Sequence, residues 1–131
     1  MTDISNLNLS EASKAGAFVD LVAPGTGTDL GIKIGVIGYD SEAVKEAERA
    51  YLRQMQDRKK KADASEFLTG RRVAVAAAAV ASVEGMEIGK EAVTVDKLRS
   101  MLAEPAWVWI LEQIEEVAGD RASFFKSAGK P

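Results

Sequence analysis

The chain has 131 residues, a formal net charge of -3, and neither histidine nor cysteine. This composition excludes disulfides, thiolate metal sites, cysteine nucleophiles and histidine general bases, so it argues against an enzyme. Hydrophobic residues make up 47% of the sequence and charged residues 28%, as in an ordinary globular domain. The small negative charge gives no overall attraction to nucleic acids or anionic membranes.

The two ends of the chain are polar and lack strong structural signals. Residues 1–16 have neither the basic start nor the apolar core of a signal peptide, and we expect them to form a flexible arm. Residues 127–131 are expected to form a flexible tail, and residues 17–126 a single α+β domain. The most apolar stretch, Val73 to Val83, is shorter than the roughly 20 residues of a membrane-spanning helix. These features predict a soluble, cytoplasmic protein.

Two β-strand patterns open the predicted domain. The segment from Ala17 to Ala23 alternates between two faces and ends at a Pro-Gly turn, and a second alternating segment extends from Leu30 to Tyr39. The alternation of the second segment changes phase beside Gly35 and Gly38, as a β-bulge or a sharp bend would produce. We therefore predict an antiparallel β-hairpin.

The glycines of this region do not form a nucleotide-binding loop. A dinucleotide fingerprint requires G-x-G-x-x-G between a strand and a helix, whereas Gly27 and Gly31 are one residue too far apart and a strand pattern follows them. The stretch from Gly85 to Lys90 is one residue short of a P-loop. No cofactor is predicted.

Helical periodicity dominates the remainder of the chain. Asp40 and Ser41 are both favourable N-cap residues for a long amphipathic helix that ends in the basic run at Lys61. An alanine-rich helix is predicted from Glu66 to Val83 and is expected to lie buried at the centre of the domain. The glycine-containing segment from Glu84 to Val95 indicates a short β-like excursion.

Three shorter helical segments complete the prediction. Thr94 is expected to cap a helix from Val95 to Ala103, Pro105 to begin a helix that reaches Ala118, and Arg121 to Lys126 to form a last turn. The predicted fold class is therefore mainly helical α+β, with an N-terminal β-hairpin followed by a bundle of about four to five helices.

Aromatic and long apolar side chains on the helices are the candidates for protein contacts. Trp107 and Trp109 are separated by about 200° on an α-helix, so both do not readily enter one core. One of them is therefore a candidate contact, although packing within the protein explains the pattern equally well. Phe124 and Phe125 allow the same two interpretations. The full set of candidate interaction residues is Tyr51, Met55, Trp107, Trp109, Phe124 and Phe125.

Two clusters of charged residues are weaker candidates for a functional site than the aromatic residues. The basic residues Arg58 to Lys61 and Arg71–Arg72 are interspersed with acidic rather than aromatic residues, which favours solvated helix ends over a nucleic-acid interface. Glu112, Glu115 and Glu116 share one predicted helix, but without histidine or a second cluster they favour a solvent-exposed face over a metal or acid–base site.

The order of these elements resembles the tail assembly chaperones of long-tailed bacteriophages and prophages, roughly from Ala17 to Lys126. The most specific parts are G-Y-D-S at Gly38, the stretch DKLRSMLAEPAWVWILEQI, and the closing D-R-A-S-F-F. One departure is that Val83 stands where many relatives have a tryptophan before Glu-Gly.

The resemblance implies a chaperone that binds the long, helical tape measure protein in the host cytoplasm. Such a protein keeps its partner soluble until tail tube subunits polymerise around it, and the resemblance also implies self-association and contact with the tail tube protein. Binding an amphipathic helix requires exposed apolar surface, to which we expect Trp109, Phe124 and Phe125 to contribute. Two alternatives stay open, namely a minor tail or head–tail connector protein of the virion and a small nucleic-acid-binding regulator.

Overall fold

The computed structural model describes residues 1–58 and 63–128, with side chains described as far as Phe125. The mainly helical α+β fold predicted from the sequence is confirmed in this part of the chain. The helices are α1 (Leu9–Ala15), α2 (Glu42–Gln56), α3 (Ala64–Ala79), α4 (Val95–Met101), α5 (Val108–Ala118) and α6 (Arg121–Ala128). The strands are β1 (Ala17–Val22), β2 (Asp29–Val36), β3 (Val80–Glu84), β4 (Glu87–Ile88) and β5 (Glu91–Ala92).

The strands β1 and β2 form the predicted antiparallel hairpin, with Ala17 opposite Val36. Their inward face carries the buried residues Val19, Leu21, Ile34 and Val36. The alternate residue Phe18 points outward and is 61% exposed, as the period of two in a strand requires. The irregularity that the glycines predicted lies between Gly35 and Val36, in the pairing of β2 with a third strand.

That third strand corrects the sequence prediction. The helix expected to extend to Val83 ends at Ala79, and the chain continues as β3, which pairs antiparallel with β2. Ile34 lies opposite Val83 in this pairing. The β-branched valines at the end of the apolar run fit a pleated, half-buried surface, and the partner strand is distant in sequence, so local periodicity did not reveal it. The sheet order is β1-β2-β3.

The helix α2 begins as predicted but ends earlier. The Ser41 hydroxyl accepts a hydrogen bond from the Val44 N–H at 3.5 Å and caps the first turn. The expected continuation to Lys61 is wrong, because α2 ends at Gln56 and Arg58 lies outside the helix. Residues 59–62, which include three lysines of the basic run, lie outside the described residues.

The predicted elements after β3 are confirmed with small changes. The β-like excursion contains the antiparallel pair of β4 and β5. Thr94 caps α4, since its hydroxyl accepts the Lys97 N–H at 3.2 Å. Pro105 begins a 3-10 turn, Pro105–Trp107, which leads into α5.

Both ends of the described chain pack together. The predicted N-terminal arm, residues 1–16, contains α1, which packs against α6. Ala12 and Ser13 are buried, and the Gly38 N–H donates to the Ser13 carbonyl at 2.9 Å. The helix α1 is therefore part of the packed domain. The predicted C-terminal tail began at residue 127, but α6 includes residues 127 and 128, and residues 129–131 lie outside the described residues.

One hydrophobic core joins the sheet to the helices. Its largest fully buried side chains include Leu21, Ile34, Leu98, Leu102, Ile110, Ile114 and Phe124. The helix α3 contributes Val75, Ala76 and Ala79, but the other apolar residues of its second half are half-buried, so the expected complete burial of that half is wrong. Among the described residues, no helix is both long enough and apolar enough to cross a membrane.

An ion pair fastens the start of α6 to the residues before α2. Arg121 donates from Nε to Asp40 Oδ2 at 2.9 Å and from Nη2 to Oδ1 at 3.1 Å. These hydrogen bonds hold the pKa of the Asp40 carboxyl below its ordinary value. A carboxyl whose pKa is lower in the folded than in the unfolded protein stabilises the fold at pH values above its unfolded-state pKa. This stabilisation disappears as the pH falls through the folded-state pKa.

We therefore expect Arg121→Gln to be slightly less stable than the natural protein at pH 7, as is usual for an exposed ion pair. The difference in the free energy of unfolding between the two proteins should shrink as the pH falls below 3.8, the ordinary pKa of an aspartate side chain. Urea unfolding of both proteins at pH 7 and near pH 2 measures this. Lys97→Gln, which removes a positive charge from the exposed side of α4, is the control. A difference that is the same at both pH values would contradict the prediction.

Candidate functional site

An open groove follows α3, between α2 on one side and the segment linking α4 to α5 on the other. One part of the groove has a volume of about 720 Å³ and lies beside α2. The other has a volume of about 250 Å³ and lies beside the start of α5. Thr69, Val73 and Ala103 line both parts, so we treat them as one surface, the α3 groove. Its main apolar side chains are Tyr51, Met55, Val73, Ala74, Val108 and Leu111.

Tyr51 determines the shape of the groove beside α2. Its ring packs against Phe67 with ring centroids 5.6 Å apart, and its hydroxyl donates to the Phe67 carbonyl at 2.9 Å. A Cβ atom at Gly70 would overlap the Tyr51 hydroxyl. Glycine at this position therefore allows α2 and α3 to approach each other closely, although glycine is unfavourable within a helix.

The groove presents apolar surface that a partner can reach. Met55 and Val73 are half-buried, and Val108 is 39% exposed. Polar side chains at the margins, including Gln54, Glu66 and Glu104, lie beside these residues. An apolar floor with polar margins is the arrangement that receives the apolar face of an amphipathic helix.

The two arginines of α3 are held in ion pairs. Arg72 donates from Nε and Nη2 to the two carboxylate oxygens of Glu115, at 2.7 and 2.6 Å. These hydrogen bonds raise the pKa of Arg72 above its ordinary value. Arg71 pairs with Glu48 of α2. These pairs join α3 to α5 and α2, and they correct the expectation that Glu115 belongs to a purely solvated face.

The structure separates the six predicted interaction residues. Tyr51 and Met55 line the α3 groove. Trp107, Trp109 and Phe125 are half-buried and pack against the core rather than lining the groove. The interpretation of Phe124 as an exposed contact is wrong, because its side chain is 2% exposed and belongs to the core.

Both tryptophans pack against the core, although the helical projection placed them about 200° apart. Trp107 closes the 3-10 turn and Trp109 lies in the first turn of α5. A 3-10 turn has three residues per turn rather than 3.6, so a single α-helical projection does not describe this pair.

Sequence reasoning missed the groove residues of α3 and α5. Val73 and Ala74 belong to a stretch that is apolar on all sides, a pattern that predicts complete burial. In the structure only part of this helix surface is covered, and Thr69 and Val73 line the groove. The sequence did contain an indication of the groove, because α3 has more apolar residues than one buried face of a helix needs.

The described residues offer no metal site, since no three acidic side chains within residues 1–58 and 63–128 gather in a way that could hold an ion. Comparison of the chain with protein-family models, curated proteins and solved structures gave no match. The case for a function therefore depends on the α3 groove and on the resemblance described for the sequence.

Proposed function

We propose that this protein is a tail assembly chaperone of a long-tailed bacteriophage or prophage. In this proposal it binds the helical tape measure protein in the host cytoplasm and keeps it soluble until tail tube subunits polymerise around it. The observation that carries the proposal is the α3 groove, with its accessible apolar floor between α2 and the α4–α5 segment.

A long amphipathic helix exposes an apolar stripe that promotes aggregation when no partner covers it. The α3 groove matches such a stripe, because Met55, Val73 and Val108 follow one another along the surface and remain accessible. Side chains at positions i, i+3, i+4 and i+7 of the partner would contact them. Binding covers the stripe, and the charged outer surface of the chaperone keeps the complex in solution.

Release is part of the proposed role, since tube subunits must replace the chaperone. The α3 groove is open along its length, and Val108 is 39% exposed even at its narrower part. A shallow apolar contact of this kind dissociates more readily than a deeply buried one. The proposal also includes self-association and a contact with the tail tube protein, for which light scattering and co-purification are the measurements.

The experiment is co-expression with the tape measure protein from the same phage. Val108→Glu and Met55→Glu each place a charge in the groove, and we expect each to reduce the co-purified tape measure protein about tenfold, or 1.4 kcal/mol. Ile88→Glu is the matched control, because Ile88 is 40% exposed, against 39% for Val108, and lies outside the groove lining. Circular dichroism checks that all three variants fold.

Equal co-purification by the folded groove variants and the control would overturn the assignment of the groove. Mass spectrometry of purified virions tests the function itself. A chaperone is absent from mature particles, whereas a minor tail or connector protein remains in them. Detection of one or more copies per particle would therefore replace the chaperone proposal with a structural one.

A further inference from the structure

A second cavity, which we call the charged pocket, lies where α2, α3 and α5 meet. Its volume is about 270 Å³, and it is on the side of α3 that bears Arg71 and Val75. Val73 and Ala74 of the α3 groove lie on another face of the same helix, and Arg72 lines both surfaces. The polar side chains of the charged pocket are Tyr39, Lys45, Glu48, Arg71, Arg72 and Glu115.

Tyr39 brings a buried hydroxyl to this pocket. Its backbone N–H donates to the Ala118 carbonyl at 2.9 Å, which fixes the residue against the end of α5. Its Oη is shielded from solvent and has no hydrogen-bond partner among the described residues. Burial raises the pKa of Tyr39 to about 12, so the hydroxyl keeps its proton at neutral pH and is a donor. A buried donor of this kind is costly unless an acceptor reaches it.

Three cations and two carboxylates line the pocket, and two further carboxylates, Asp40 and Glu112, act on Lys45 and Arg72 from outside the lining. The cations of Lys45, Arg71 and Arg72 face the carboxylates of Glu48 and Glu115. Arg72 uses Nε and Nη2 for Glu115, so its Nη1 has no hydrogen bond to the described residues. Lys45 forms no ion pair within residues 1–58 and 63–128. Hydrogen-bond donors of Lys45 and Arg72 therefore remain available after the internal ion pairs are made.

We propose that the charged pocket binds an oxyanion, either a carboxylate or a phosphate group. The anion accepts hydrogen bonds from the Lys45 ammonium and the free N–H groups of Arg72, and from the Tyr39 hydroxyl after a small movement of the side chains that cover it. The buried hydroxyl thereby gains an acceptor, and the donors that the internal ion pairs leave free are used. Arg72 lines both the charged pocket and the α3 groove, but Tyr39 and Lys45 line the charged pocket and not the groove, and anion binding needs no protein partner.

The experiment is a titration of the full-length protein with sodium phosphate and, separately, with sodium acetate. Sodium chloride at the same ionic strength is the reference. Backbone and arginine side-chain NMR signals around Tyr39, Lys45 and Arg72 report binding. We expect saturable shifts with at least one of the two oxyanions, and these shifts should exceed those caused by chloride.

Tyr39→Phe is expected to weaken the binding about tenfold, because it removes a single donor to a charged acceptor. Lys45→Met should weaken it similarly, since Lys45 is exposed and its replacement preserves the core. Lys97→Met on α4 is the control that removes the same charge elsewhere. Saturation with only one of the two anions supports the proposal and identifies the group that the pocket takes.

Two results would overturn the proposal. Shifts that rise linearly with both anions and match those of chloride would mean that the pocket responds only to ionic strength. Unchanged affinity in the folded Tyr39→Phe protein would mean that the hydroxyl is not a ligand of the anion, and that a water molecule is enough to satisfy it.

Discussion

Replacing Phe124 with alanine is expected to lower the free energy of unfolding by about 3 to 5 kcal/mol. Phe124 is among the largest fully buried side chains and is 2% exposed. Its ring lies next to Gly38, where an added Cβ atom would be 3.0 Å from Phe124 Cε2. Truncation removes the apolar contacts of the ring and leaves a cavity between α6, α1 and the end of the hairpin. Denaturant unfolding followed by circular dichroism measures the loss.

Phe18→Ala is the matched control for this prediction. Phe18 carries the same side chain, is 61% exposed, and packs on the outer face of the sheet with Lys33 Nζ 5.8 Å from its ring centroid. A cation–π contact at an exposed site contributes about 0.5 to 1 kcal/mol, so the control should lose no more than about 1 kcal/mol. Similar losses in the two variants would mean that Phe124 does not occupy the core.

Gly16→Ala is expected to destabilise the protein by about 3 kcal/mol, through two separate effects. Gly16 joins α1 to β1 with φ 88° and ψ 173°, a backbone conformation that is almost restricted to glycine. A Cβ atom at this position would also lie 2.9 Å from the Val36 carbonyl oxygen. Because that oxygen belongs to the backbone of β2, it is not able to move aside as a flexible side chain would.

Gly25→Ala separates the two effects. Gly25 also has a positive φ, of +86°, but an added Cβ atom would meet nothing within 4 Å. It should therefore show only the backbone strain, about 1 to 2 kcal/mol. Thermal and urea unfolding of both variants measure the difference between them. Equal destabilisation would show that the contact with Val36 contributes nothing beyond the strain.

Local signals in the sequence predicted much of the fold. Ser41 and Thr94 are capping residues at helix starts, and both cap the helices that they were expected to cap. Alternation in the hairpin predicted the buried side of β2, and the phase change beside Gly35 predicted its irregular pairing. These signals are short in range, so one sequence is enough to show them.

Features that depend on distant residues were not predictable in this way. The strand β3 exists because β2 offers it an open edge, and periodicity within an alanine- and valine-rich run does not reveal that edge. The burial of Phe124 depends on α1, more than 100 positions earlier in the chain. Likewise, the α3 groove is formed by three segments that are separate in the sequence. Of the residues that line it, Tyr51 and Met55 were the only ones predicted as interaction candidates.

The packing of α1 against α6 has a consequence for how the protein is made. The ribosome releases α1 and the hairpin long before Phe124 is synthesised, so an emerging chain carries an uncovered apolar surface around Ala12 and Gly38. Closing the core requires a contact between the two extremes of the described chain, which is slow because it is so distant in sequence. A chain that stops before α6 would therefore keep this surface exposed, and we expect it to aggregate during translation.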